Sequence, residues 1–319
     1  MPQPTSSVTF SRREKARLRL ASQGLTIRRW ESAEDVARAF GVMQGQDLHS
    51  VRRSLSLRAK DHSDAENIVR GYPMRNTLFA ASIKDIGWIT ELCAKGRKGD
   101  TELRAEVNKL IGRPLSRAEL KERAATALPG VPFWHVVRVA MESGHAVYSG
   151  ADQLITPVDL PGLEETFNGD KVAATAELMT RYFRTHGPAT LRDFAWWAKL
   201  PQRLIRPAAE NLAPDIVRCG EDSQDLVSAE IVEMADARKK QSVLLLGAFD
   251  EYILGYQARL FAMTNEVHEV LVPGNRGVFR RAIVVDGQVR GTWNKQAIED
   301  LGMPGYAMRK VQKLWRDAH

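Results

Sequence analysis

The sequence predicts an α+β chain, and three observations carry that prediction. Helical periodicities opened by N-capping signatures dominate the first two thirds of the chain. Within that stretch the same succession of helices and short β-prone runs recurs. After Pro214 the character changes to short β-rich runs broken by Gly, Asp and Asn. At 319 residues, 44% hydrophobic and 27% charged, the chain is long enough for two to three modest domains whose cores need no covalent staples.

Taken in order, SRREKARLRLASQGL reads as a helix capped by Ser11, with Ala16, Leu18, Leu20 and Ala21 on one face. A second helix opens at Ser32, where SAED resembles a capping box, and runs through Val36, Ala37 and Phe40 to Gly41. The polar stretch Gln44-Gly45-Gln46-Asp47 follows directly. DLHSVRRSLSLRA is a third helix, with Leu48, Val51 and Leu55 at helical spacing and Arg52 and Arg53 projecting from it. Ser63-Asp64-Ala65-Glu66 opens a short helix, and MRNTLFAAS alternates as a strand. Helix, helix, motif, helix and strand in this order is the grammar of a winged helix.

The grammar recurs twice. SIKDIGWITELCAKG, the S-x-x-E box at Ser116 to Glu119 and VPFWHVVRVAMESG supply helices, and HAVYSG with DQLITP forms a hairpin around Gly150 and Ala151 that would be the wing. In the third copy DKVAATAELMTRYFRTHG precedes LRDFAWWAKL, capped from Thr190 to Asp193, and then PQRLIRPAAENL. Leu191, Phe194, Trp197, Leu204, Ile205 and Ala208 form its expected buried seam. DIVRCG, DLVSAEIV, SVLLLGAFD, HEVLVPG, RAIVVDG and QVRGTWNK then read as an antiparallel sheet or small barrel, closed by the basic amphipathic helix of GMPGYAMRKVQKLWRDAH. The expected organisation is three tandem winged-helix units over 1–80, 81–160 and 161–235, and a C-terminal β-barrel-like element over 236–319.

Charge and composition narrow the function. The net charge is +7, and the basic excess falls in residues 1–60, beside the QGQD stretch. Clustered positive charge suits a polyanion such as DNA, although a solvated arginine-rich helix has the same composition. Cys93 and Cys219 stand far apart without metal-ligand spacing, so neither a disulfide framework nor a zinc site is expected, and no cofactor. The sequence has no run long enough to span a membrane and no signal-peptide core at its start, which leads to a cytoplasmic expectation. GxGxxG, Walker, HExxH and GxSxG motifs are all missing, which removes nucleotide hydrolysis, zinc proteolysis and serine hydrolysis.

Two constellations remain. Gln44 and Gln46 lie at alternate positions, so both amides can meet one small target while Gly45 lets backbone approach closely. An amide is a poor general base but can orient a water and hydrogen-bond a sugar or base edge. That suffices where the leaving group is already activated, as a cationic alkylated purine is, with Asp47 as a source of nearby negative charge. The other reading of these residues is ordinary hydrogen bonding at a helix end. In FDEYILGYQAR, Asp250 and Glu251 follow an apolar strand; consecutive carboxylates in a strand face opposite sides, and a structural Asp250 to Arg259 pair is the favoured reading. His49, Trp88, Trp134, His135 and His186 lack paired acids in sequence and read as packing, capping or surface. Arg203 and Arg206 on the third unit's recognition helix, with Arg52 and Arg53 beside the motif, are the candidate DNA contacts.

Five stretches, GVMQGQDLHSVRRSLSLRA, GYPMRNTLFAASIKDIGWIT, HGPATLRDFAWWAKL, LLLGAFDEYILGYQAR and VVDGQVRGTW, resemble in this order the bacterial winged-helix DNA glycosylases of the AlkZ and YcaQ type, from about residue 10 to residue 300. The resemblance implies tandem winged-helix motifs with a C-terminal β-barrel-like element curved around duplex DNA. It implies a monofunctional glycosylase that excises N-alkylated purines from double-stranded DNA, in some members by unhooking crosslinks. That family's signature of glutamine, an apolar residue, then glutamine or aspartate falls on Gln44 and Gln46 as catalytic residues, with Gly45 departing from it. Such an enzyme is expected to act as a monomer. The alternative is a non-catalytic winged-helix DNA-binding protein or transcriptional regulator.

Overall fold

The computed structural model describes residues 8–27, 29–61, 65–93, 101–220, 224–234 and 241–318. Helix α1 (Arg12–Ser22) starts at a reciprocal capping box between Ser11 and Glu14. It is buried on more than one side and braces distant parts of the chain. Arg12 Nη2 donates to Met263 O at 3.0 Å, Arg19 Nε to Pro188 O at 2.8 Å and Ser22 Oγ to Gly187 O at 2.6 Å. The first helix of the sequence therefore packs on the third repeat and the C-terminal region, not as a member of the first repeat.

That first repeat is built from α2 (Ala33–Phe40), β1 (Met43–Gln44), α3 (Leu48–Arg58), a 3-10 turn at Ala65–Asn67, β2 (Ile68–Met74) and β3 (Thr77–Ser82). Residues 63 and 64, expected to open a short helix, lie outside the described residues. Where MRNTLFAAS was expected as one strand, Arg75 and Asn76 adopt φ of 56° and 51° and turn β2 back onto β3. Two consecutive left-handed residues make the tight turn that matches the twist of a hairpin.

Next come α4 (Ile86–Cys93), α5 (Thr101–Leu110), α6 (Arg117–Ala127), α7 (Phe133–Glu142), β4 (Ala146–Ser149) and β5 (Leu154–Pro157). The expected 146–157 hairpin is present, but it does not stand apart as a free wing. Strand β4 pairs with β2 at Tyr148 and Arg70, so the first two repeats share one five-stranded sheet in the order β1-β3-β2-β4-β5.

The third repeat consists of α8 (Leu163–Phe167), α9 (Lys171–His186), β6 (Ala189–Thr190), α10 (Leu191–Ala198), α11 (Gln202–Ala208), β7 (Ile216–Cys219) and β8 (Asp225–Ser228), with α12 (Ala229–Glu233) after it. Its seam is as expected: Phe194, Trp197, Ile205 and Ala208 are buried, with Leu191 and Leu204 half-buried against them. Strands β7 and β8, expected in the C-terminal sheet, pair instead with β6 in the order β6-β8-β7. Ile216 and Leu226 cover the helices immediately before these strands, while Cys219 and Val227 cover Leu18 and Ala21 of α1.

One wiring diagram thus occurs three times. A helix leads to a short edge strand, one or two helices or turns follow, and a hairpin brings its second strand back beside the edge strand. The edge pairings are β1 with β3, Leu115 with Ile155 of β5, and β6 with β8. In every copy the next helix is capped from the edge-strand end, by Asp47, Ser116 and Thr190.

The C-terminal region holds β9 (Val243–Leu245), α13 (Glu251–Leu254), α14 (Asn265–Leu271), β10 (Arg281–Val285), β11 (Gln288–Trp293), β12 (Ile298–Asp300) and α15 (Gly305–Asp317). HEVLVPG, expected as a β-run, lies largely in α14, which Thr264 caps. The strands pair as β12-β11-β10-β9, and among the described residues the outer two do not join, so the arrangement is an open sheet with both faces covered. Ile283 and Val285 face Ala307 and Val311 of α15, while Ala282 and Val284 face Leu20, Leu246 and Tyr252. This alternation is the two-residue period of a strand buried on both sides.

Candidate active site

Strand β1 is two residues long and carries Gln44, the first residue of the QGQD stretch, against β3. Gly45 N donates to Leu78 O at 2.9 Å, and Gly45 O accepts from Arg70 Nη1 at 2.7 Å. Arg70 Nε in turn donates to Gln153 Oε1 in the β4–β5 turn at 2.6 Å. A Cβ at position 45 would stand 2.6 Å from Phe79 C and 2.7 Å from Ala80 N, so the glycine exists because backbone passes backbone there. Far from loosening the stretch, Gly45 is held on both sides.

The two amides meet. Gln46 Nε2 donates to Gln44 Oε1 at 2.9 Å, with Gln46 exposed and Gln44 only 6% exposed. Gln44 Nε2 is buried and has no hydrogen-bond partner. An orphaned buried donor is costly, and such groups concentrate where a ligand completes them. Asp47 is differently occupied: its Oδ1 accepts from His49 N, and its Oδ2 from Ser50 N and Ser50 Oγ, which makes it the N-cap of α3.

The rival acidic pair lies against this motif. Asp250 does not pair with Arg259; its Oδ1 and Oδ2 accept from Arg58 Nη2 at 2.8 Å and Nη1 at 3.0 Å, with both side chains fully buried. Ser54 Oγ and Tyr252 N also donate to it, and Arg58 Nη2 donates to Gln23 Oε1 as well. Burial pushes the Asp250 carboxyl up, but the Arg58 charge and these hydrogen bonds outweigh it and hold the carboxyl below its ordinary value. Arg259 instead lies over Trp196 and Phe279, at 5.4 Å and 5.0 Å from the ring centroids.

Glu251, beginning α13, turns the other way. Its Oε1 accepts from Gln44 N at 2.8 Å, and its Oε2 from Trp197 Nε1 at 3.3 Å, with His186 Nε2 at 3.4 Å. His186 is wholly buried and stacks on Tyr182 at 4.4 Å. Burial disfavours its charged form and holds its pKa below the ordinary value, against the opposing pull of Glu251. Read from sequence, His186 was packing; it packs, and it also joins the site. The stretches HGPATLRDFAWWAKL and LLLGAFDEYILGYQAR are far apart in sequence, and nothing in their spacing says that both converge on Gln44.

The expected DNA contacts divide. Arg52, Arg203 and Arg206 are exposed. Arg53 is tied down: its Nε donates to Leu245 O at 2.7 Å, its guanidinium lies 4.7 Å from the Trp293 ring, and burial followed by the neighbouring Arg281 lowers its pKa. A cavity of about 540 Å³ opens beside it, with His49, Arg52, Arg281 and Lys295 in its wall and no carboxylate among the lining residues. Among the described residues no cluster of His, Cys, Asp and Glu could hold a metal ion, and no helix is long and apolar enough to cross a membrane.

A family model described as DNA glycosylase AlkZ-like matches residues 37–302. The chain belongs to this family. The matched span takes in the QGQD stretch, Trp197 and Glu251, and it leaves out all of α15 and all of α1. Membership in the AlkZ-like family places the chain among DNA repair glycosylases, enzymes whose substrate is DNA. Among solved structures, the Streptomyces sahachiroi DNA glycosylase AlkZ superposes with a TM-score of 0.74 over 98% of this chain and 97% of that chain. Their sequences are 18% identical, so this likeness is one of fold. No protein with a curated description matches the chain.

Proposed function

We propose that the chain hydrolyses the N-glycosidic bond of purines alkylated at N3 or N7 in double-stranded DNA, bulky adducts and interstrand crosslinks included, as a monofunctional glycosylase. Gln44 and Gln46 are its catalytic residues. An alkylated purine leaves with the bonding electron pair and becomes neutral as it goes, so the bond breaks through a cationic sugar without a protonating acid. The protein has to hold a water at C1′ and steady that cation. The water oxygen bonds C1′ and its proton passes to solvent.

The observation that carries this reading is the unsatisfied, buried Nε2 of Gln44. With Oε1 fixed by Gln46, the free N–H of Gln44 and the exposed end of Gln46 form a small polar target suited to a water or a sugar oxygen. No lysine is among the hydrogen-bond partners of the motif, which supports hydrolysis over imine chemistry. The thrice-repeated topology supports a tandem of three winged helices, with α11 presenting Arg203 and Arg206 to phosphates and Arg52 lying near the motif. We take the enzyme to act as a monomer, and the domain limits given from sequence to hold apart from α1.

Incubation of purified protein with duplexes carrying one N7-alkylguanine or N3-alkyladenine, then alkaline cleavage, reads out abasic sites. Strand breaks by the wild-type protein that disappear in Gln44→Ala/Gln46→Ala support the assignment. Excision by that double variant at the wild-type rate removes it, and tight binding without abasic sites favours a non-catalytic DNA-binding protein.

A further inference from the structure

The structure assigns Glu251 as the residue that positions the glutamine pair and sets a buried negative charge behind it, an inference that rests on Gln44 and Gln46 being the catalytic amides. Strand β1 is an edge strand whose only sheet partner among the described residues is β3. Gly45 N uses that partner, which leaves Gln44 N on the other side without a strand to receive it. Glu251 Oε1 receives it at 2.8 Å from a side chain that is 1% exposed. A two-residue strand pinned from both sides has little freedom left, and the amides it carries inherit that rigidity.

Charge supports the same assignment. Of the carboxylates described so far, Asp47 caps α3 and Asp250 is neutralised by Arg58. Glu251 is met by neutral donors, the Gln44 amide N–H and the Trp197 indole, and by His186, whose charged form burial disfavours. Arg75 is a nearby cation that interacts with Glu251 through space. In so dry a site a carboxylate is screened far less than in water. As positive charge moves from the departing base to the sugar, the carboxylate behind Gln44 is placed to favour that state.

The test separates reach from charge in the full-length protein. Glu251→Gln keeps an oxygen for Gln44 N and loses the charge; Glu251→Asp keeps the charge and loses the reach by one methylene. Single-turnover excision is expected to fall about tenfold to a hundredfold in Glu251→Gln. Affinity for the duplex and thermal midpoint should change little, so that the loss sits in kcat and not in KM. Glu251→Asp should retain more activity than Glu251→Gln while remaining below wild type. Equal or faster excision by Glu251→Gln than by Glu251→Asp overturns the charge role. Should Glu251→Gln fail to fold, a folded Glu251→Asp that excises at the wild-type rate overturns the positioning role. If the wild type is active and Gln44→Ala/Gln46→Ala is not, a fully active Glu251→Gln sinks this inference alone; if Gln44→Ala/Gln46→Ala is fully active, the reading beneath it goes too.

Discussion

Replacing Gly45 by alanine is the most informative single change, because its consequence follows from distances. The new Cβ would stand 2.6 Å from Phe79 C and 2.7 Å from Ala80 N, where ordinary contact begins at 3.4 Å. Both neighbours are backbone of β3, so no rotamer relieves the overlap, and β1 has to retreat by about 0.8 Å, the difference between those distances. A shift of that size stretches the 2.9 Å Gly45 to Leu78 bond toward 3.7 Å and breaks it. Overpacking of this kind costs about 1–3 kcal/mol. Misplacing a catalytic group by roughly 1 Å costs about a hundredfold in rate. Single-turnover excision on an alkylated duplex and thermal unfolding read the two effects independently. Gly45→Leu, which restores the apolar middle residue of the resembled signature, should be worse than Gly45→Ala. Wild-type excision and stability in Gly45→Leu would refute the steric reasoning.

Other outcomes follow from the same geometry. Arg58→Ala leaves Asp250 buried without its partner and should destabilise the fold by about 3–5 kcal/mol, measured by denaturant unfolding. Because the folded pKa of Asp250 is depressed, the pair's stabilisation is fully present above the carboxyl's ordinary 3.8 and is lost as pH falls through the lower folded value. An acid-unfolding profile of wild type against Arg58→Ala should therefore converge only below that range. Arg203→Ala and Arg206→Ala should each reduce the salt slope of duplex binding by about 1 without changing the excision rate of bound DNA. Arg53→Ala should lower the thermal midpoint instead, since its guanidinium holds Leu245 O and packs on Trp293. Asp47→Asn should keep the α3 cap and the excision rate, whereas Asp47→Ala should lose about 0.5–2 kcal/mol of stability.

What the sequence disclosed was mostly local. The helix starts at Ser11, Ser32, Ser116 and Thr190 were readable because a capping box lies within four consecutive residues. The 146–157 hairpin and the buried seam of α10 and α11 were readable for the same reason. The misreadings share the opposite property. Strands β7 and β8 resemble their C-terminal neighbours in composition, and only the partner β6 decides where they belong. The run HEVLVPG has β-prone residues, but a threonine cap and the packing of Leu271 and Val272 make most of it helical. At the site, Gln44 and Gln46 could be picked out as an interruption of apolar pattern. Their buried partner could not, because 207 residues separate Gln44 from Glu251, and Asp250 finds Arg58 across 192. Pairing at such separations is written in three-dimensional packing, and no spacing rule reaches it.

The sheet shared by the first two repeats has a consequence for how this architecture can diversify. Arg70 spans the seam, one nitrogen on Gly45 O and another on the Gln153 side chain in the second repeat's hairpin turn. The copies are therefore no longer interchangeable parts: deleting or transplanting the second would remove Gln153 and β4, which hold Arg70 against Gly45 O. The third repeat has a separate sheet but is bound to the same site, because Trp197 and His186 meet the Glu251 carboxylate that receives Gln44 N, so it too cannot be exchanged without disturbing that strand.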